Sequence, residues 1–217
     1  MAATAPVRTK HSSGVRDWWL RVPLVLQRPR PVFVALRDDS DEAAGDRSEP
    51  VLAIVLLSGI ALVLSTGTAG RLMDNQAYDG LLVAVWAFIA GSLYAIFGYI
   101  VFGALLYGVV KVLGSQGSYR RTRHLIAYAA VPIALSLVLW PFRLALYGED
   151  VFRTGGSDAG TGARVFELLQ LGFVAWTVAL LVIGIKAVHG WTWPRAGLAV
   201  AIALGVPVLI GVAVGVT

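Results

Sequence analysis

The stretch Gly80–Val110, GLLVAVWAFIAGSLYAIFGYIVFGALLYGVV, holds 31 consecutive residues without a formal charge, between Asp79 and Lys111. As a single helix it extends about 46 Å, against a hydrocarbon core of about 30 Å. A chain segment in hydrocarbon must satisfy its own backbone hydrogen bonds, which a helix does. This stretch therefore predicts a membrane-spanning helix that tilts, bends or continues beyond the bilayer.

The composition of the whole chain agrees with membrane insertion. Hydrophobic residues make up 57% of the 217 and charged residues 14%, with a mean hydropathy of +0.73. No basic helix or aromatic-basic platform accompanies the high pI, so we expect no nucleic-acid partner. Cysteine is absent, which excludes disulfides and thiolate chemistry. Arginine outnumbers lysine 15 to 3 among many small residues, which indicates a GC-rich bacterial gene.

Residues 51–217 form the predicted membrane domain. Four further apolar stretches accompany the long one, so we expect an all-α bundle of five transmembrane helices. Pro132 and Pro207 fall inside two of these stretches, where each proline frees a backbone carbonyl and predicts a kink. The predicted spans cover about residues 51–67, 81–110, 125–147, 166–188 and 196–216.

Small residues recur along the predicted spans at helical spacing. In the second span Ala87, Gly91 and Ala95 repeat every fourth residue, and the first span offers Ser58 and Gly59. Faces without bulk let helices approach closely, so we expect a tight contact here. A similar repeat in the last span fits internal packing or homodimerisation.

Residues 1–26 predict a cytoplasmic tail that is disordered or lies at the membrane interface, with disorder expected over 1–16. Trp18 and Trp19 stand beside basic residues. Indole rings and cations together are typical of chains lying at the lipid headgroups. Both tryptophans are therefore candidate lipid contacts.

Residues 27–50 predict a short amphipathic segment next to the membrane, in which Pro31 opens a helix and Gly45 ends it. Its second half is acidic, with one cation, Arg47, among six acids. These acids are Asp38, Asp39, Asp41, Glu42, Asp46 and Glu49.

Three interpretations of the acidic segment 38–49 remain open. It is a solvated helix face, or it docks on the basic turn 111–123, or it binds a metal ion. The docking interpretation rests on charge. The segment has a net charge of −5, and the turn has a charge of +4 from Lys111, Arg120, Arg121 and Arg123. Metal binding has no supporting histidine or turn geometry.

Loop charges predict the orientation. Five spans place the two chain ends on opposite sides of the membrane. With the N-terminus inside, the cytoplasmic side holds 14 of the 18 basic residues and the outer side holds 4. The positive-inside rule thus predicts a cytoplasmic N-terminus and an external C-terminus.

The sequence offers little for catalysis. No ionisable side chain is expected near the bilayer centre, where a charge costs roughly 2.5 to 3.5 kcal/mol and usually serves a function. The segment GSQGS at 114–118 lacks the Gly-Lys-Ser/Thr of a phosphate loop and a paired histidine, so a linker with helix-capping serines is the simpler interpretation. We expect no enzymatic activity, no cofactor and no metal.

Several motifs together resemble the bacterial branch of the Yip1 domain family, from about residue 27 to the C-terminus. They are QRPRPVF at 27–33, Gly98-Tyr99, GSQGS at 114–118, YAAVP at 128–132 and the helix around Trp176. The resemblance implies a five-span fold with the N-terminus inside, here in the bacterial cytoplasmic (inner) membrane. In eukaryotes it implies trafficking proteins that engage prenylated Rab GTPases, whereas some bacterial relatives accompany export systems.

Two functions follow. The first is a non-enzymatic membrane adaptor that associates with itself or with other membrane proteins and is linked to trafficking or export. Arg120, Arg121 and Arg123 would then contact a partner or anionic lipid. The second is a transport component, a permease for a lipid or an apolar solute or an exporter subunit, in which the kinked third and fifth spans line a path.

Overall fold

The structure is a computed structural model that describes residues 10–214. Throughout this range the regular structure is helical, and the described residues contain no strand. The predicted all-α class is therefore confirmed. Residues 1–9 of the predicted tail and residues 215–216 of the predicted fifth span lie outside the described residues.

Three helices precede the membrane domain: α1 (Lys10–Gln27), α2 (Pro29–Ala35) and α3 (Asp41–Asp46). α1 covers residues 10–16, for which the sequence predicts disorder, and it continues through Pro23. The chain leaves the helix at Arg28, since a residue before proline disfavours helical backbone. The helix opened by the prolines ends at Ala35 rather than Gly45, because Ser40 caps a separate helix by accepting from the Ala43 amide at 3.3 Å.

The apolar part of the chain follows. Within residues 10–214, three segments are long and apolar enough to cross a membrane, namely Gly80–Val112, Tyr119–Phe152 and Thr161–His189. Ser48–Leu64 and Trp193–Pro207 are shorter apolar helices. The helices are α4 (Ser48–Leu64), α5 (Gly80–Val112), α6 (Tyr119–Ala129), α7 (Val131–Leu135), α8 (Leu139–Tyr147), α9 (Thr161–His189) and α10 (Trp193–Val214). Three 3-10 helices lie at Ala69–Asp74, Ser136–Val138 and Gly148–Phe152.

The third apolar segment is interrupted where its proline predicts a kink. α6 ends at Ala129 and α7 restarts with Pro132 in its first turn. The hydroxyl of Ser58 on α4 donates to the Ala130 carbonyl at 3.2 Å, so a neighbouring helix supplies a polar group at the break. By contrast α10 continues through Pro207, so that proline does not interrupt its helix.

α4 and α5 cross closely, as the small residues predict. Ala87, Gly91 and Ala95 are all buried on α5. A Cβ added to Gly91 would lie 2.7 Å from the Cα of Ile60, and one added to Gly59 would overlap Ala95. The prediction of a tight small-residue contact is confirmed.

Two apolar cores hold the molecule together. The larger one joins α4–α7, α9 and α10 to α1 and α2, where Val25, Val32 and Phe33 are buried. The smaller one, at the opposite end of the bundle, stacks Trp140 on Phe152 at 5.6 Å. The N-terminal helices are therefore part of the folded domain.

Candidate functional site: the charged junction

The acidic segment contacts the basic turn, at an interface that we call the charged junction, formed by residues 37–47 and 113–124. Arg120 pairs through Nε with Asp39 Oδ1 at 3.1 Å and through Nη1 with Asp41 Oδ1 at 2.6 Å. It also donates to the Asp39 carbonyl. Of the three interpretations of segment 38–49, docking on the basic turn is the one that these contacts support.

Arg47, the lone cation of the acidic segment, is fully buried. Its Nε donates to His124 Nδ1 at 2.6 Å, its Nη1 to the Asp38 carbonyl at 2.7 Å, and its Nη2 to Asp39 Oδ1 at 3.1 Å. Because Nδ1 accepts, the imidazole carries its proton on Nε2. A buried charge is stabilised only when it is paired and hydrogen-bonded, and Arg47 meets both conditions.

Asp39 is the carboxylate at the centre of the junction. It pairs with Arg47 and Arg120 and accepts a hydrogen bond from the Ser118 hydroxyl. Partial burial raises the pKa of Asp39, but the hydrogen bonds from Ser118 and Arg120 and the nearby positive charge outweigh burial and hold it below the usual value. Asp39 is therefore ionised at neutral pH.

Ser118 has a second role at the start of α6. Its Oγ accepts from the Arg121 amide at 3.0 Å and caps the helix, as expected for a serine of the GSQGS segment. The expectation that this segment lacks a paired histidine is wrong, because Ser115 Oγ lies 3.1 Å from His189 Nδ1. The amide of Gly117 also donates to Ser115 at 2.9 Å. The contact with His189 joins the turn to the end of α9, and the Gly117 bond stabilises the turn itself.

Other cations tie further segments to the same end of the bundle. Arg121 donates to the Arg37 carbonyl at 2.8 Å. Arg37 in turn donates to the Ala187 carbonyl at 3.1 and 2.6 Å, which satisfies an acceptor in the last turn of α9. Arg195 donates to the Leu113 carbonyl. The N-terminal segment is thus bonded to α6 and α9 through Arg37, and α10 is bonded to the turn after α5 through Arg195.

Arg123 differs from Arg120 and Arg121. Its guanidinium lies 4.7 Å from the centre of the Tyr119 ring and 5.3 Å from that of Tyr99. Within residues 10–214 neither Arg123 nor Arg121 forms an ion pair, and the Nε of each is buried without a hydrogen-bond partner. The aromatic contacts distinguish Arg123. The three arginines singled out from the sequence therefore have three different surroundings.

Trp18 and Trp19, both expected to contact lipid, have different surroundings. Trp18 is buried, with its ring 5.5 Å from that of Tyr128 and the Arg21 guanidinium 4.1 Å from its centre. The expected lipid contact does not hold for Trp18, because its ring packs on α6 instead. Trp19 is exposed, and its indole donates to Glu49 at 3.3 Å.

The junction can pair charges and donate hydrogen bonds. Within residues 10–214, no group of three or more histidine or acidic side chains is placed to hold a metal ion. Sequence reasoning missed the roles of Arg47, His124 and His189. A cation isolated among six acids was the one available signal for Arg47, whereas nothing local marks its histidine partner 77 residues away.

The exterior of the bundle is apolar. α5 exposes large side chains along its length, among them Leu81, Phe88, Leu93 and Phe97, each more than 60% exposed. An exposed apolar surface of this extent, over three long helices, is unfavourable in water and favourable in lipid. The fold and its exterior define a multi-pass helical membrane protein.

The family model of the Yip1 domain matches residues 24–215. The chain therefore belongs to the Yip1 domain family, as its motifs indicated. The match begins inside α1 and takes in the charged junction as well as the apolar helices. Searches of curated proteins and of solved structures found no match.

Proposed function

We propose that this protein is a non-enzymatic membrane adaptor with five spans, its N-terminus in the cytoplasm and its C-terminus outside. In this proposal it lies in the bacterial cytoplasmic membrane and serves trafficking or export by associating with other membrane proteins or with itself. The gathering of Arg37, Arg47, Arg120, Arg121 and Arg195 at one end supports the orientation, since the cytoplasmic side collects basic residues.

The observation that carries the adaptor proposal is the docking of the N-terminal segment on the bundle through the charged junction. When the N-terminal segment docks, its acidic side chains and the basic side chains of the turn form one ordered surface that carries both signs of charge. Such a surface favours a complementary partner by steering its approach and fixing its orientation. The Asp41 side chain is 97% exposed and that of Arg120 38% exposed, so both can reach a partner while paired with each other.

Co-purification tests the proposal. The tagged protein is isolated from its native membrane in mild detergent, and associated proteins and lipids are quantified by mass spectrometry against an untagged control. Replacing Arg120, Arg121 and Arg123 with Gln should remove a stoichiometric membrane-protein partner. Unchanged association in this variant, with its elution profile preserved, would sink the assignment.

A matched variant controls for the loss of three charges. Arg71, Arg153 and Arg164 are exposed and lie away from the charged junction. Replacing these three with Gln removes the same charge and should leave the partner bound. Equal loss of the partner in both triple variants would argue for a non-specific charge effect and against the adaptor surface.

A second candidate, a transport component, is favoured by two cavities inside the bundle. One of about 410 Å³ is lined by α4, α5, α6, α7, α9 and α10, and one of about 460 Å³ lies toward the opposite end beside Trp140 and Arg143. Val174 on α9 lines both. The interrupted third segment lines both cavities, whereas from α10 Leu204 lines the first.

Flux in liposomes tests this candidate. Wild-type protein should move a fluorescent lipid or an apolar dye across the bilayer faster than protein-free liposomes allow. Val174→Phe should slow that flux, because the larger ring stands between the two cavities. No flux above the protein-free rate excludes transport of these probes and leaves the adaptor.

A further inference from the structure

The cavity of about 410 Å³ lies inside the apolar bundle and opens at its side. Its size falls within the range of about 300 to 1,000 Å³ that small-molecule sites occupy. Tyr94, which lines it, is 59% exposed, so the cavity reaches the lipid-facing surface. The lining is apolar apart from a few groups, which include Ser58, Tyr94, Tyr99 and Thr177.

The Arg123 cation lies next to a residue that lines this cavity. Tyr99 lines the cavity, and the Arg123 guanidinium is 5.3 Å from its ring centre. Ile126, one turn after Arg123 on α6, and Ala130 also line the cavity, so the arginine lies next to its α6 wall. Within the described residues Arg123 has no carboxylate partner, unlike Arg120.

The position of Arg123 is fixed by neighbouring contacts. The Tyr119 hydroxyl donates to the Ile100 carbonyl at 2.9 Å, which holds the start of α6 on α5. A Cβ on Gly103 would lie 2.7 Å from Arg123 Cγ, so the glycine makes room for the arginine stem. The guanidinium is therefore held against Tyr99, one of the residues that line the cavity.

We propose that this cavity binds one acyl chain of an anionic phospholipid from the surrounding bilayer, with the lipid phosphate on Arg123. Charge identifies the ligand, because a guanidinium without a carboxylate suits a phosphate and the apolar lining suits a hydrocarbon chain. The site is independent of the adaptor proposal, since it requires no protein partner. Arg120, already paired with two aspartates, takes no part in it.

Native mass spectrometry tests the lipid site with the full-length protein. The protein is taken from nanodiscs holding equal amounts of phosphatidylglycerol and phosphatidylcholine, and lipid retained per chain is measured. Wild type should retain phosphatidylglycerol over phosphatidylcholine by about tenfold, the effect of one charged hydrogen bond. Arg123→Gln should abolish that preference, and Arg123→Lys should keep most of it.

A matched pair at Thr177 tests the chain-binding part. The Thr177 hydroxyl is buried and has no hydrogen-bond partner among the described residues, so Thr177→Val should leave retention unchanged. Thr177→Phe fills the cavity and should displace both lipids. Equal retention of the two lipids by wild type, or retention by Thr177→Phe equal to that of Thr177→Val, would overturn the proposal.

Discussion

At the level of single residues, Arg47 joins the N-terminal segment to the membrane domain. Its guanidinium is surrounded by His124, the Asp38 carbonyl and Asp39, and it also lies 5.5 Å from the Trp18 ring centre. Because one cation makes all of these contacts, removing it should weaken the packing of several elements at once. The burial of Arg47 thus links the order of α1 to the integrity of the charged junction.

Arg47→Met should lower the free energy of unfolding by about 3 kcal/mol, because it breaks a buried ion pair and leaves its polar partners unsatisfied. Denaturation in detergent micelles measures this. Arg153→Gln is the control, since its pair with Asp150 is about half exposed and should contribute less than about 1 kcal/mol. Similar losses in the two variants would contradict the role of Arg47.

Asp39 predicts how the junction responds to acid. Its pKa is lower in the folded protein than the ordinary 3.8, so its contribution to stability is complete above that value and is lost as the pH falls through the folded pKa. Asp39→Asn should therefore be less stable than wild type at pH 7. The difference should begin to shrink as the pH falls below the ordinary 3.8, because the unfolded chain then binds a proton that the folded carboxylate does not yet accept.

Comparing the two proteins in unfolding titrations between pH 7 and 3 isolates this group, because the other acids are common to both. A stability difference that stays constant or grows as the pH falls would contradict the assignment.

Some of these single-residue contacts could be predicted from the sequence and others could not. Opposite net charges made docking of segment 38–49 on the turn 111–123 one of three open interpretations, because charge is visible without coordinates, but they did not choose among the three. The burial of Trp18 on Tyr128 was not, since the same indole beside arginines fits a headgroup layer equally well. Long-range partners such as His124 left no local pattern at all.

At the scale of elements, the crossing of α4 and α5 depends on the absence of side chains at Gly59 and Gly91. The four-residue spacing of small residues predicted this contact because helical periodicity is local. The helix over residues 10–27 was harder to foresee, since basic residues and Pro23 hide an apolar side that packs on the bundle. Tertiary contacts, which no local propensity encodes, override the weak helix signal there.

Gly91→Ala should destabilise the protein by about 1 to 3 kcal/mol, because the added methyl meets the backbone of Ile60. Gly108→Ala in the same helix is the matched control, since nothing lies within 4 Å of its Cβ position. That change should be neutral or slightly stabilising, as alanine favours helix over glycine. Thermal unfolding in detergent compares them, and equal melting temperatures would refute the tight crossing.

At the scale of the whole molecule, the two ends of the bundle differ in chemistry. One end carries the charged junction, and the other is held by the pair of Arg143 with Asp158 and by Thr154, whose hydroxyl donates to Asp74 at 2.5 Å. An adaptor that meets cytoplasmic partners needs the first end inside the cell. The orientation of the bundle therefore decides whether the charged junction can serve as proposed.

Cysteine labelling measures that orientation directly, because the chain has no cysteine of its own. Glu42, Gln116, Ala77 and Ala159 are exposed, the first two at the charged junction and the last two in the loops at the opposite end, and each is replaced singly with Cys. A membrane-impermeant maleimide should label positions 77 and 159 in intact cells, and positions 42 and 116 only after permeabilisation. Labelling of positions 42 and 116 in intact cells would place the charged junction outside and contradict the account.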